Sequence, residues 1–142
     1  MLILKCYMDQ LHNVHWDCKG HAGAMFTLGQ GVVPSYLRKI KLNTHSSTET
    51  ELVGADMYMP KLLWLLYFMQ SQEYNVEIVK LYQDNKSTEL MMKNGRLSSD
   101  KRTNHIKAKF FFIKDQVDSG EIRVMHCPTQ GMWVDVLMTP LQ

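Results

Sequence analysis

No stretch of this chain is apolar enough to cross a bilayer. The longest such run, Leu62–Met69, falls well short of the about 20 residues a spanning helix needs, and the N-terminus lacks a basic-then-apolar signal pattern. A soluble protein with no membrane partner is expected. Cysteine is scarce: Cys6, Cys18 and Cys127 are odd in number and show no CxxC spacing. That excludes a disulfide framework and points to reduced thiols, in the cytosol or nucleus. His12, His15, Cys18 and His21 fall at every third residue, a spacing that matches no zinc pattern. Internal repeats, low-complexity tracts and linkers are also missing. The chain therefore reads as a single domain over residues 1–142, globular at 45% hydrophobic and 21% charged residues. Net charge is small, at +2, but unevenly spread: eight of the sixteen Lys and Arg lie between Lys86 and Lys114, against Glu89 and Asp100 alone. A basic segment in a near-neutral protein points to an anionic partner.

The organising stretch is Val76–Thr88, VEIVKLYQDNKST. An apolar, β-rich run ends on Asp84; Asn85 supplies a helix N-cap, and Lys86–Met92 reads as the helix that follows. A carboxylate at a strand end beside a helix start is where α/β sheets expose their chemistry. Leu2–Met8 is a second strand, ending at Asp9, and Gln10–Gly23 reads as a turn region. Ala24–Leu28 and Val32–Leu42 read as two more strands across the Gly29-Gln30-Gly31 turn, the latter marked as an edge by Pro34. Ser46 and Glu49 have capping-box spacing. Leu52, Ala55, Met59, Leu62, Leu63 and Leu66 then recur at helical intervals, with Pro60 expected to kink or divide the helix. Trp64, Tyr67 and Phe68 are read as core. At about 100° per residue, Glu51 faces inward better than Glu49 does. His105–Val117 reads as a helix ended by Asp118-Ser119-Gly120, Glu121–His126 as a strand, and Gly131–Leu141 as a short helix carrying Asp135. The order predicts an α/β fold, a five-stranded mixed sheet of antiparallel meander plus parallel strands, flanked by helices.

Asp9 and Asp84 at strand ends, Glu51 on the capping turn and Asp135 on the last helix form a carboxylate set suited to two Mg²⁺ ions. Such a pair activates a water and stabilises the departing 3′-oxygen in phosphodiester hydrolysis. A metal-dependent nuclease is the expectation. His126 is read as a satisfied surface residue and Cys127 as packing.

Five segments resemble the ribonuclease H domain that follows reverse transcriptase in copia-type retrotransposons. SSTETEL at Ser46–Leu52 is similar to the family's SSTEAEY, and LYQDNKST at Leu81–Thr88 to its D-N-x-S/A element. RTNHIKAKFFFIKDQVDSGEI at Arg102–Ile122 resembles R-T-K-H-I…F-I…V-x-x-G-x-I. CPTQGMWVDVLMTPL at Cys127–Leu141 resembles P-T/S-x-x-x-x-A-D-x-x-T-K-P-L, and CYMD at Cys6–Asp9 the opening G-Y-x-D. The resemblance implies the ribonuclease H-like fold and Mg²⁺-dependent cleavage of the RNA strand of RNA–DNA hybrids by a two-metal mechanism, with Mn²⁺ able to substitute. It assigns catalysis and metal binding to Asp9, Glu51, Asp84 and Asp135. Lys101, Arg102, Lys107, Lys109 and Lys114 are then expected to face the hybrid backbone, with Asn85 reaching a 2′-hydroxyl. Departures stand at Gln10 and Leu11, where the family has a small residue, at Val134 in place of Ala, and at Met138 in place of Lys. Gln10 is expected to crowd the substrate and Val134 to displace Asp135, so that Gln10→Ala plus Val134→Ala restores rate. The chain starts just before the first strand and stops just past the family's last motif. This implies an excised or decaying copy, its reverse transcriptase encoded separately or lost. The alternative function is a catalytically weakened remnant that binds nucleic acid without turnover.

Overall fold

The structure is a computed structural model, and it describes residues 2–12, 16–44, 46–94 and 104–135. Its strands are β1 (Leu2–Leu11), β2 (His21–Leu28), β3 (Gly31–Lys39), β4 (Val76–Gln83) and β5 (Ile122–His126). Helices α1 (Ser47–Ser71), α2 (Lys86–Asn94) and α3 (Asn104–Asp118) and a 3₁₀ turn at Thr129–Gly131 complete the described elements. One sheet runs in the order β3-β2-β1-β4-β5. The first three strands are an antiparallel meander, whereas β4 and β5 add in parallel to β1. This is the predicted mixed sheet.

Local chemistry accounts for the elements. Gly29 takes φ +71°, the left-handed conformation that the β2–β3 turn needs. Pro34 lies on β3, an edge strand, where its missing N–H breaks no interior ladder. The Ser46 hydroxyl accepts from the Glu49 N–H at 3.1 Å and caps α1. Gly120, at φ +79°, turns the chain from α3 into β5.

Alternation along β1 sends Leu4, Cys6 and Met8 into the main core with Ala22, Ala24, Phe26 and the inner face of α1. Tyr7 points the other way, into a smaller core with Met25, Cys127, Met132 and Val134. Leu52, Met59 and Leu62 of α1 are fully buried, each contributing about 1.5–3 kcal/mol.

Three expectations are corrected here. Helix α1 is not divided at Pro60, because that residue is exposed and its lost hydrogen bond faces water. Trp64, Tyr67 and Phe68 are not core: they are 65%, 49% and 46% exposed. They occupy the outer face of a helix that is apolar almost all round, and Trp64 stacks on Phe68 at 5.4 Å. Strand β1 does not stop at Met8. It runs to Leu11, paired with a β2 that begins at His21, so Asp9 sits inside the ladder opposite Gly23. The predicted final helix, Gly131–Leu141, lies mostly outside the described residues; within them Gly131 closes the 3₁₀ turn and Asp135 alone has helical backbone.

The extension of β1 fixes Gln10. Its side chain is buried on the α1 face, so close to Gly54 that a Cβ there would lie 2.5 Å from Gln10 Cγ. Neither amide atom has a hydrogen-bond partner among the described residues. Gly54→Ala should therefore destabilise by about 1–3 kcal/mol through overpacking. In a Gln10→Ala background the same change should stabilise by up to about 1 kcal/mol, as expected for Gly→Ala in an open helix site. Urea denaturation of the four-member cycle measures this, and additive effects would show that the two residues do not touch.

Candidate active site

Parallel pairing of β1 with β4, in register through Tyr7 and Tyr82, brings the two strands' C-terminal ends together. Asp9 lies on one and Asp84 directly after the other. From the α1 side of the sheet comes Glu51, on the first turns of the helix. From the opposite side comes Asp135, on a segment held by Val134 and Met132 in the smaller core.

The four acids feel one another. Asp9 is buried, and its pKa is pushed up to about 7. Burial is the largest cause, followed by the charge of Asp84 and by a hydrogen bond with the Asp135 carboxyl, opposed by the Gln10 N–H donated to Asp9 Oδ1 at 2.9 Å. Asp84 is raised by burial and by the charge of Asp135, while His126 draws it down. Glu51 is raised by burial and, more weakly, by Asp84. A raised pKa at Asp9 is what a carboxyl shows when it is buried and crowded by other carboxylates.

Glu51 is held differently. Its Oε1 accepts from Asn85 Nδ2 at 3.1 Å and its Oε2 from the Thr88 hydroxyl at 2.8 Å. Asn85 Oδ1 in turn receives the Thr88 N–H at 3.4 Å, the predicted N-cap of α2. One carboxylate thus fastens the start of α2 to α1. Thr88, fully buried, escaped individual notice in the sequence. The available signal was its place one turn beyond Asn85, on the same side of α2.

Among the described residues, no group of three or more Asp, Glu, His or Cys side chains is arranged to hold a metal ion as placed. In chemistry the donors suit a hard divalent cation, all being carboxylates, and their mutual repulsion is the field such an ion relieves. In placement, Glu51 is turned to α2 and Asp9 to Asp135.

The other expected site residues are variously engaged. Gln10, expected against the substrate, lies beneath α1, because adjacent strand residues face opposite ways and Asp9 takes the other side. Val134 is fully buried in the smaller core, next to Asp135. Asn85 spends an amide N–H on Glu51. Lys109 is ion-paired with Asp56 at 2.6 Å. Lys114 pairs with Asp118 one turn before α3 ends. Since α3 feeds the start of β5, Lys114 lies toward the end of the sheet remote from the acids. Lys101 and Arg102 lie outside the described residues, as does the side chain of Lys107. His12 shares hydrogen bonds with Thr50 at 2.8 Å and Thr44 at 3.2 Å. His126 is half-buried rather than a satisfied surface residue, with Nδ1 unpartnered among the described residues. The Cys127 thiol is pushed up by burial and by Asp84, which disfavours the reactive thiolate.

Comparison with known proteins places this geometry. No protein-family model matches the chain. Over 119 residues it is 26% identical to the retrovirus-related Pol polyprotein from transposon TNT 1-94 of Nicotiana tabacum, covering 84% of this chain and 9% of that one. Over 122 residues it is 28% identical to the corresponding polyprotein from transposon RE1 of Arabidopsis thaliana, covering 84% and 8%. The chain spans less than a tenth of these relatives. Among solved structures, LC11-RNase H1, isolated from compost by a metagenomic approach, superposes with TM-score 0.67 at 17% identity, covering 96% of this chain and 93% of that one. The fold is that of ribonuclease H. A ribonuclease H domain of a copia-type retrotransposon polyprotein fits both sets of relatives. A second structure of LC11-RNase H1, with TM-score 0.59 at 12% identity, covering 98% of this chain and all of that one, is a complex with RNA/DNA hybrid.

The raised acids set a pH dependence. Asp9 binds its proton more tightly folded, at about 7, than at the ordinary value of 3.8. Stability in EDTA is then unaffected below about pH 4, falls as pH rises toward about 7, and levels off above. Asp9→Asn should flatten that fall, read as the urea midpoint against pH. An equally steep fall in the variant would show that Asp9 is not strained by its neighbours.

Proposed function

We propose that this domain is a ribonuclease H-type hydrolase that cuts the RNA strand of RNA–DNA hybrids during retroelement reverse transcription. The observation that carries the reading is the meeting of Asp9, Asp84 and Asp135, with Glu51 beside them, at the ends of β1 and β4 in a ribonuclease H fold. The Pol polyproteins it resembles support the setting, with a reverse transcriptase as partner, and the hybrid-bound relative supports the substrate.

In this reading Asp9, Glu51, Asp84 and Asp135 would hold two Mg²⁺ ions, or Mn²⁺ in their place. When bound, these supply an activated water and stabilise the departing oxygen. The chain's own residues do the positioning. Asn85 and Thr88 orient Glu51 from α2, and the buried Val134 fixes the approach of Asp135. His126 lies beside Asp84 and draws its pKa down.

The second reading, a remnant that binds hybrid without turnover, draws support from Glu51, both of whose oxygens are already engaged. Incubation of labelled hybrid with Mg²⁺, with Mn²⁺ and with EDTA separates the two. Cleavage should require a divalent cation, and Asp84→Asn should reduce it to background while the protein stays folded. Salt-dependent binding with no cleavage under any metal would establish the remnant.

A further inference from the structure

The first turn of α1 is held from two sides. From α2, Asn85 and Thr88 engage both oxygens of Glu51. From the sheet, the end of β1 engages the residue just before it. Thr50 is 1% exposed, and its hydroxyl lies 2.8 Å from Nδ1 of His12, the residue that follows β1. Thr44, on the segment after β3, meets both groups, at 2.6 Å from the Thr50 hydroxyl and 3.2 Å from the ring nitrogen. Gly20 leaves room for this approach. A Cβ there would lie 2.9 Å from Thr50 Cγ2 and 2.7 Å from the Leu11 carbonyl oxygen.

Counting protons shows what the ring contributes. The Thr50 hydroxyl donates its one proton to the Ser46 carbonyl at 3.0 Å. Its oxygen therefore accepts from Thr44, whose one proton is spent on that contact. Nδ1 of His12 then faces two oxygens that have no proton left to give, so Nδ1 itself carries the hydrogen. A neutral ring protonated at Nε2 instead would set a lone pair against both oxygens. The tie thus runs by donation from the end of β1 into the buried start of α1.

Its direction matters for the acids. Asp9 lies on β1, three residues before His12, whereas Glu51 is fastened by its side chain to α2. Without the imidazole donor, the turn bearing Glu51 keeps its hold on α2 and loses its hydrogen bond to the strand of Asp9. We infer that His12 is a positioning residue, which acts through Thr50 to hold the first turn of α1 against the end of β1 and so sets the place of Glu51 relative to Asp9. The inference rests on the hydrolase reading for its catalytic consequence. A displacement of about 1 Å at such a site costs on the order of 100-fold in rate.

His12→Asn and His12→Leu test this, because the Asn amide nitrogen can replace Nδ1 as donor and Leu cannot. His12→Leu should lower kcat on labelled RNA–DNA hybrid by about 10-fold or more and leave KM unchanged. It should also weaken Mn²⁺ binding to the protein alone, by titration calorimetry, by about 10-fold. His12→Asn should recover most of both losses. Thr50→Val, which keeps the shape and removes the acceptor, should behave as His12→Leu does and replaces it if that variant does not fold. Imidazole ¹⁵N spectra of the unaltered protein should show the hydrogen of His12 on Nδ1; a neutral ring with it on Nε2 overturns the inference. So does a folded His12→Leu protein with a lower urea midpoint but unaltered kcat and Mn²⁺ affinity, which leaves the hydrolase reading standing. An unaltered protein that binds Mn²⁺ and hybrid without cleaving overturns the hydrolase reading alone, provided His12→Leu still weakens Mn²⁺ binding. One that binds no Mn²⁺ overturns both.

Discussion

The parallel pairing of β1 with β4 is the constraint on which the rest depends. Two acids far apart in sequence meet because both strands run toward the same edge, with Tyr7 beside Tyr82. An antiparallel pairing would send Asp84 to the opposite end of the sheet. Parallel neighbours need a long crossover, and α1 provides it. The same helix carries the third acid on its first turns, so connection and function are one element. The meander before it and β5 after it extend the sheet from the pair outward.

Where the acids gather, the structure tolerates poor electrostatics. Burial and mutual repulsion work against ionisation of Asp9, Asp84 and Glu51, and the protein answers each differently. Asp9 is held toward its protonated form by burial and by its acidic neighbours. Glu51 is compensated by hydroxyl and amide donors that also cap and dock α2. An acid needed at the sheet edge is thereby made useful to the fold, at some cost to its freedom to turn elsewhere.

Much of this was legible in the sequence because local signals act locally. The capping serine, Gly29-Gln30-Gly31, the edge Pro34 and the Asp84-Asn85 step each describe one turn of chain, and each stands where it was expected. What escaped depends on partners distant in sequence. Only β2 reveals that β1 continues past Asp9, and only then does alternation turn Gln10 toward α1. A helix apolar on all faces hides which face is wet, so Trp64 and Phe68 passed for core. Charge along the chain showed that α3 is basic but not that Lys109 and Lys114 are already paired. Arg38 and Lys41, which have no ion-pair partner among the described residues, stood outside the basic run.

The smaller core on the second face of the sheet has a consequence of its own. Tyr7 lies between Tyr82, at 4.8 Å, and Trp133, at 5.5 Å, and with Val134 and Met132 this stack is what holds the segment bearing Asp135. The other three acids are rooted in the main core or directly at its edge. Opening of that aromatic stack would remove one acid without breaking the packing of α1 on the sheet. The last member of the site is thus delivered by the smaller of the two cores.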